Sequence, residues 1–222
     1  TPLYSSAASD VYKRQLQDFT MRWFERAKAQ TSASGDTLIV PLLQIGQLAI
    51  TQETDMIPIL TQYLSALSPR ALGPTSARPY TTVDLTSGYF TLSGLFKSLV
   101  LSDAIHRHSQ APVFFRLVAA SPEANGFYGS QGLSGRIPAA YTLLEKLFWN
   151  CVVDKQLHAP VHSYVDASDP VSEGPLAPVE LREWSKHGWT YHEKGLWITG
   201  PSLEQPVLSP ATTLIGSSNY GA

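Results

Sequence analysis

The chain holds a single cysteine, Cys151, in 222 residues. One thiol excludes an intrachain disulfide framework and any zinc site built on several cysteines. Its place in an apolar run with helical spacing predicts an inert, buried thiol. Charge is scarce as well, at 15% of residues against about 25% in an average soluble domain. The 16 Lys and Arg are outnumbered by 18 Asp and Glu, for a net charge of −2. That balance lacks the basic excess on which a general nucleic-acid binder depends. Long apolar runs are also missing, and none reaches the roughly 18 residues of a bilayer-spanning helix. What is present is a 43% hydrophobic content, 16 prolines and 5 tryptophans. This is enough to build a core, and it suits a loop-rich α/β enzyme lobe with a partly apolar surface. The length fits one large domain or parts of two.

The first fifteen residues stand apart. Ser5 to Gln15, read Ser-Ser-Ala-Ala-Ser-Asp-Val-Tyr-Lys-Arg-Gln, resembles a translated sequencing adapter, with Thr1 to Tyr4 as its flank. Residues 1–15 are therefore set aside as a non-native scar. The expectation is a native sequence that begins mid-protein at Leu16 and is also cut short after Ala222.

From Leu16 to Gln30, apolar residues recur at Leu16, Phe19, Trp23 and Ala27, which predicts an amphipathic helix. Thr37 to Val40 predicts a short strand stopped by Pro41. Thr51 to Asp55 places a cap and acidic residues ahead of a helix reaching Leu67, with Pro58 pointing to a start at Ile57. Ser68 to Pro79 holds three prolines and reads as a linker, with a lobe boundary near residue 75. Beyond it, strand and helix alternate: strand 81–85, helix 92–106, strand 113–119, helix 137–156. This is the pattern of an α/β lobe with a largely covered sheet. Helical character resumes over Val179 to His187, and strands are predicted at Trp189 to Thr199 and Thr212 to Ile215. His158 and His162 are four residues apart but flank Pro160, so they make no helical metal pair. His106, His108 and His187 read as surface or capping residues. Asp84 and Glu123 lie near predicted strand ends with nothing to distinguish them from ordinary loop acids.

Two stretches carry chemistry. In Tyr191-His192-Glu193-Lys194-Gly195, a strand would set His192 and Lys194 on one face. An ammonium neutralises phosphate oxygens while an imidazole carries the bond change at a phosphate ester. Gly216-Ser217-Ser218-Asn219 adds a turn whose hydroxyl and amide groups bind the same oxygens. The second stretch runs from Ser121 to Pro138, with glycines at 126, 129, 132 and 135 between a strand and a helix. It matches neither the dinucleotide fingerprint nor the P-loop. Three readings stay open for it: an anion cradle at the helix N-terminus with Arg136, a plain surface loop, or an apolar contact through Phe127 and Tyr128.

Taken together, Ser87-Gly88-Tyr89-Phe90, Ser121 to Tyr141, Gly188 to Trp197 and Leu214 to Gly221 resemble eukaryotic phosphatidylglycerophosphate synthases. These are the CDP-diacylglycerol–glycerol-3-phosphate 3-phosphatidyltransferases of the phospholipase D superfamily. The resemblance implies two phospholipase D-like α-β-α lobes, each a mixed sheet flanked by helices, with a His-x-Lys motif in each. Residues 16–75 would close the first lobe, and 76–222 would form most of the second. It implies transfer of a phosphatidyl group from CDP-diacylglycerol to glycerol 3-phosphate through a phosphohistidine, with no metal and no cofactor. His192 would serve as general acid and base, Lys194 and Asn219 would bind phosphate oxygens, and Ser217 would assist. It also implies a mitochondrial, inner-membrane setting, peripheral membrane contact and no nucleic-acid partner. The superfamily pattern places an aspartate five residues after the lysine, where this chain has Thr199. That departure leaves open a non-catalytic lipid-binding lobe, beside other superfamily members such as phosphatidylserine synthases or phospholipases. A phosphodiesterase of nucleic-acid ends is disfavoured by the acidic balance.

Overall fold

Five strands form a mixed sheet, with β-branched and aromatic residues at about half of their positions. They are β3 (Thr81–Ser87), β4 (Val113–Ala120), β5 (Val179–Trp184), β6 (Lys194–Thr199) and β7 (Thr212–Ile215), in the order β5-β4-β3-β6-β7. Strands β3, β4 and β5 run parallel, and β6 and β7 add antiparallel on the other side. The computed structural model describes residues 11, 14–15, 17–18, 21–22, 25, 37–45, 50–66, 80–102, 106, 112–159, 176–201, 210–217 and 219–220. The chain divides into two units, Thr1–Met56 and Ile57–Ala222. The predicted lobe boundary near residue 75 lies outside the described residues, as do His108 and His162.

In the first unit, β1 (Gln44–Ile45) and β2 (Ile50–Thr51) pair antiparallel. Residues 37–40 are not a strand: Leu38 and Ile39 are 76% and 69% exposed. Among the described residues their β-propensity finds no paired edge to stabilise it. Described residues between Val11 and Glu25 are helical, and Arg22 Nε donates to the Asp18 carbonyl at 3.1 Å.

Helix α1 runs Gln52–Ala66 and begins five residues before the predicted start at Ile57. Gln52 takes part at both ends of a clamp, its amide donating to the Leu43 carbonyl and its side chain accepting from the Leu43 amide. The Thr51 hydroxyl donates to the Asp55 carboxylate at 3.2 Å. Pro58 therefore sits inside the helix, where it removes one backbone donor without ending the run.

In the second unit, the main core joins one face of the sheet to three helices. Val83, Leu85, Phe115, Leu117, Val179, Leu196 and Ile198 supply the sheet side. Leu60 and Leu64 of α1 join them, with Phe96 and Leu99 of α2 (Gly94–Val100) and Phe148 and Val152 of α3 (Ile137–Asp154). Helix α2 is shorter than the predicted 92–106. The Ser93 hydroxyl caps it by accepting from the Phe96 amide at 3.3 Å. On the opposite face Tyr80, Phe114 and Leu176 form a small second cluster. There Arg116 grips Asp84 with two hydrogen bonds of 2.5 and 2.8 Å between neighbouring parallel strands. Asp84 is thus a mid-strand ion-pair partner, not a strand-end acid.

Three further expectations are corrected. Val179 to Trp184 is a strand and not a helix, because Val179 and Leu181 alternate inward in register with Phe115 and Leu117. Cys151 is exposed, its thiol directed at the Leu147 carbonyl one helical turn back. His106 is buried, with Nδ1 at 2.6 Å from the Val113 carbonyl and Nε2 at 2.7 Å from the Val100 carbonyl. It ties the last carbonyl of α2 to the start of β4 from a buried position, not at the surface.

Candidate active site

Strand β3 ends at Ser87, which lies opposite Lys194, the first residue of β6. Carboxyl ends of strands are where α/β sheets collect ligands. His192 precedes β6 and belongs to a loop, so one strand face does not align it with Lys194 as the i, i+2 rule supposed. The two are brought together differently. The Lys194 ammonium folds back and donates to the His192 carbonyl at 3.1 Å. Both groups also meet the Tyr89 ring: the imidazole packs edge-to-face at 5.2 Å, and the ammonium lies 5.7 Å from the ring centre. Burial lowers the Lys194 ammonium below the ordinary lysine value, and Glu193 opposes that shift.

The loop holding His192 is fixed on both sides. The Tyr191 amide donates to the Ala124 carbonyl at 2.9 Å, and the Gly88 amide donates to the Glu193 carbonyl at 3.0 Å. The Tyr191 ring stacks on Trp184 at 5.1 Å, and its hydroxyl is hydrogen-bonded to the Thr86 hydroxyl. Burial, the largest influence, raises the Tyr191 phenol above its usual range. Gly88 is required by proximity. A Cβ there would stand 2.6 Å from the Tyr191 carbonyl oxygen and 2.9 Å from His192 Cα.

The turn after β7 closes the site from a third side. The Ser87 hydroxyl lies 3.4 Å from both the backbone oxygen and Oδ1 of Asn219, and 3.1 Å from the Tyr89 carbonyl. Its one hydrogen therefore has three acceptors to choose among. Asn219 is held there by Tyr220, which is buried at a left-handed φ of 61°. The Tyr220 ring packs on Phe96 at 5.3 Å, and its carbonyl accepts from the Ser93 amide at 2.8 Å. Ser217 lies in the same turn with its side chain exposed. The structure thus brings His192, Lys194 and Asn219 to one place around Ser87 and Tyr89, and leaves Ser217 at the surface beside them.

The glycine loop resolves into two 3-10 turns, Pro122–Ala124 and Gly132–Arg136, leading into α3. Two of its glycines serve local packing, since a Cβ at Gly126 would meet the Tyr89 hydroxyl at 2.9 Å and one at Gly135 the Ser130 carbonyl at 2.2 Å, while Gly129 and Gly132 adopt φ of 74° and 68°. Arg136, Leu133 and Tyr128 are exposed. Phe127 instead turns inward against Tyr89, with ring centres 5.9 Å apart. Thr199, where the superfamily aspartate was expected, ends β6 opposite Thr82. Among the described residues no group of three His, Cys, Asp or Glu is placed to hold a metal ion.

Sequence reasoning named the ionic members and missed the frame. Ser87, Tyr89 and Tyr141 were the missed residues. The Ser-Gly-Tyr segment at the end of a predicted strand was the available signal for the first two. Tyr141 closes the Ser121–Tyr141 segment that carries the family resemblance but was given no role there; its ring stacks on Tyr89 at 5.3 Å from the first turns of α3.

In this α/β protein an imidazole, an ammonium, a hydroxyl and a carboxamide gather at a strand's carboxyl end, groups whose chemistry suits binding and protonation of a phosphate ester. No family model matches the chain. Individual relatives do. The CDP-diacylglycerol–glycerol-3-phosphate 3-phosphatidyltransferase, mitochondrial, of Homo sapiens is 34% identical over 188 residues, covering 84% of this chain and 26% of the relative. The probable enzyme of that name from Dictyostelium discoideum is 30% identical over 186 residues, covering 84% and 25%. The Saccharomyces cerevisiae enzyme is 34% identical over 143 residues, covering 61% and 22%. The chain belongs to this family of phosphatidyltransferases, and it spans about a quarter of the length of the curated relatives it matches. A solved phosphatidylserine synthase of Haemophilus influenzae Rd KW20 overlaps 53% of this chain and 22% of its own, with 16% identity and a TM-score of 0.39. That likeness is too slight to assign anything further.

Proposed function

We propose that this chain forms part of an enzyme that moves the phosphatidyl group from CDP-diacylglycerol to sn-glycerol 3-phosphate, yielding phosphatidylglycerophosphate and CMP. The observation that carries the reading is 34% identity to enzymes of that name across 84% of the chain. The gathering of His192, Lys194 and Asn219 around Ser87 supports it.

In the first step a histidine supplied by the remainder of the protein attacks the phosphatidyl phosphorus. A nitrogen–phosphorus bond forms and the bond to the CMP oxygen breaks. His192, as imidazolium, gives its proton to the departing CMP oxygen. In the second step His192, now neutral, takes the proton of the acceptor hydroxyl as its oxygen bonds to phosphorus and the nitrogen–phosphorus bond breaks. Lys194 and the Asn219 carboxamide stabilise the charge on the non-bridging oxygens, and Ser217 assists at the rim of the turn. Ser87 and Tyr220 hold Asn219 in place. The Thr199 position is filled by strand pairing, so the acidic partner that would orient His192 is replaced by the pinned loop around it.

The lipid substrate requires contact with a membrane surface. Tyr128 and Leu133, 60% and 80% exposed near the site, offer apolar contacts for it. No helix among the described residues is long and apolar enough to cross a membrane. The names of the mammalian relatives support a mitochondrial setting, and the lipid substrate favours its inner membrane.

The test is transfer by the full-length protein carrying this segment. CDP-diacylglycerol and labelled glycerol 3-phosphate should give an organic-soluble phosphorylated lipid and CMP, and His192→Ala should lower kcat by about 10²–10⁴-fold with Tm unchanged. Label entering lipid from serine alone would contradict the acceptor assignment.

A further inference from the structure

Around His192 and Lys194, one ring touches both. We infer that Tyr89 is the positioning residue of the pair, holding the imidazole and the ammonium in register across its face. The inference rests on the phosphatidyl-transfer reading for its kinetic consequence and on geometry alone for the contact itself.

The geometry has three parts. First, His192 meets Tyr89 edge-to-face, with centroids 5.2 Å apart and planes at 66°. A ring's negative face favours the positive edge of a neighbour, so the contact selects an orientation for the imidazole. Second, the Lys194 ammonium is 5.7 Å from the same ring centre, within the ~6 Å range over which an aromatic face attracts a cation. The same ring thus meets both ionisable groups of the pair. Third, Tyr89 is itself immobilised. Tyr141 stacks on it at 5.3 Å and 21°, and Phe127 leans on it at 5.9 Å. Its hydroxyl occupies the space that a side chain at Gly126 would need. A ring fixed by neighbours from α3 and from the glycine loop transmits that fixity to the loop residue His192, which no strand aligns.

A positioning residue should affect the turnover step more than substrate binding, because a group misplaced by about 1 Å can cost roughly 100-fold in rate. In the full-length protein, Tyr89→Leu should lower kcat about 10- to 100-fold while KM for glycerol 3-phosphate changes less than about threefold. Tyr89→Phe keeps the ring and should restore most of the lost rate. Gly126→Ala keeps every ring and charge but displaces the Tyr89 hydroxyl, and it should reproduce the kcat loss. The 222-residue chain supplies a readout independent of catalysis: carbon-13 relaxation of the His192 imidazole. The ring should be rigid in the parent and in Tyr89→Phe, and mobile on the ps–ns timescale in Tyr89→Leu and Gly126→Ala. A rigid imidazole in both of the latter variants overturns the inference whatever the enzyme's substrate. Altered imidazole mobility in a full-length protein with no transferase activity would overturn the functional reading and leave the positioning role standing.

Discussion

At the residue scale, Glu145 and Gly88 shape how the protein responds to pH and to substitution. Glu145, on the buried side of α3, has its carboxyl raised from the ordinary 4.5 to about 8, first by burial and then by the charge and hydrogen bond of Glu183 on β5. The folded protein therefore keeps a proton that the unfolded chain releases above pH 4.5. The associated stability is fully present below about pH 4.5 and is lost as pH rises toward about 8. Tm measured between pH 5 and 8 should fall with rising pH, and Glu145→Gln, which keeps the neutral shape, should flatten that slope. Gly88 acts by occupying almost no space. Because its Cβ position is 2.6 Å from a backbone oxygen of the His192 loop, Gly88→Ala must push that loop aside. It should lower kcat of the full-length enzyme by about 10-fold or more, with KM nearly unchanged.

At the element scale, the turn after β7 is organised by Tyr220. A non-glycine residue at φ 61° costs roughly 1–2 kcal/mol, and this cost is offset by placing the ring in the core against Phe96. Removing a buried aromatic side chain costs about 3–5 kcal/mol. Tyr220→Ala should therefore lower the unfolding free energy by about 3 kcal/mol in a denaturant titration. It should also release Asn219 from Ser87, seen as loss of the Asn219 side-chain amide signals from their dispersed positions. Strands and helices differed in how well the sequence announced them. β3, β4, β7 and α3 were legible because apolar content and flanking turn residues agreed. Residues 179–184 read as a helix because Glu, Leu, Arg and Glu are good helix formers. Pairing with β4 outweighed that propensity. Residues 37–40 erred the other way, a strand-like composition that joins no strand pairing among the described residues.

At the scale of the whole molecule, the chain holds two units, the second bearing the five-stranded sheet, and spans about a quarter of the length of the relatives it matches. The 222-residue protein alone should give no CMP from CDP-diacylglycerol, and activity should return only with the full-length protein. A radiometric assay of both at equal concentration checks this. The ionic members of the site were readable because a His-x-Lys and a Gly-Ser-x-Asn are local patterns. The frame was not, since Ser87, Tyr89 and Tyr141 meet the pair only through tertiary approach. The same holds for His106, whose ring bridges two carbonyls that no local spacing connects. Cys151 misled because an apolar helix shows its hydrophobic period without revealing which stripe a neighbour covers.

The Ser87–Asn219 contact joins residues 132 positions apart, and Thr86 meets Tyr191 across 105. Closing such long loops uses up chain entropy before any contact repays it, so pairings of this kind form slowly. On the ribosome, where chain emerges at about 5–20 residues per second, β3 and its glycine turn leave the exit many seconds before Asn219 does. Until β6 follows, the edge of β3 that it will occupy is open to other strands, and Ser87 lacks its Asn219 partner until the turn after β7 has emerged. The site is thus the last part of this unit to be finished, and its completion reports that the sheet has closed in the right order.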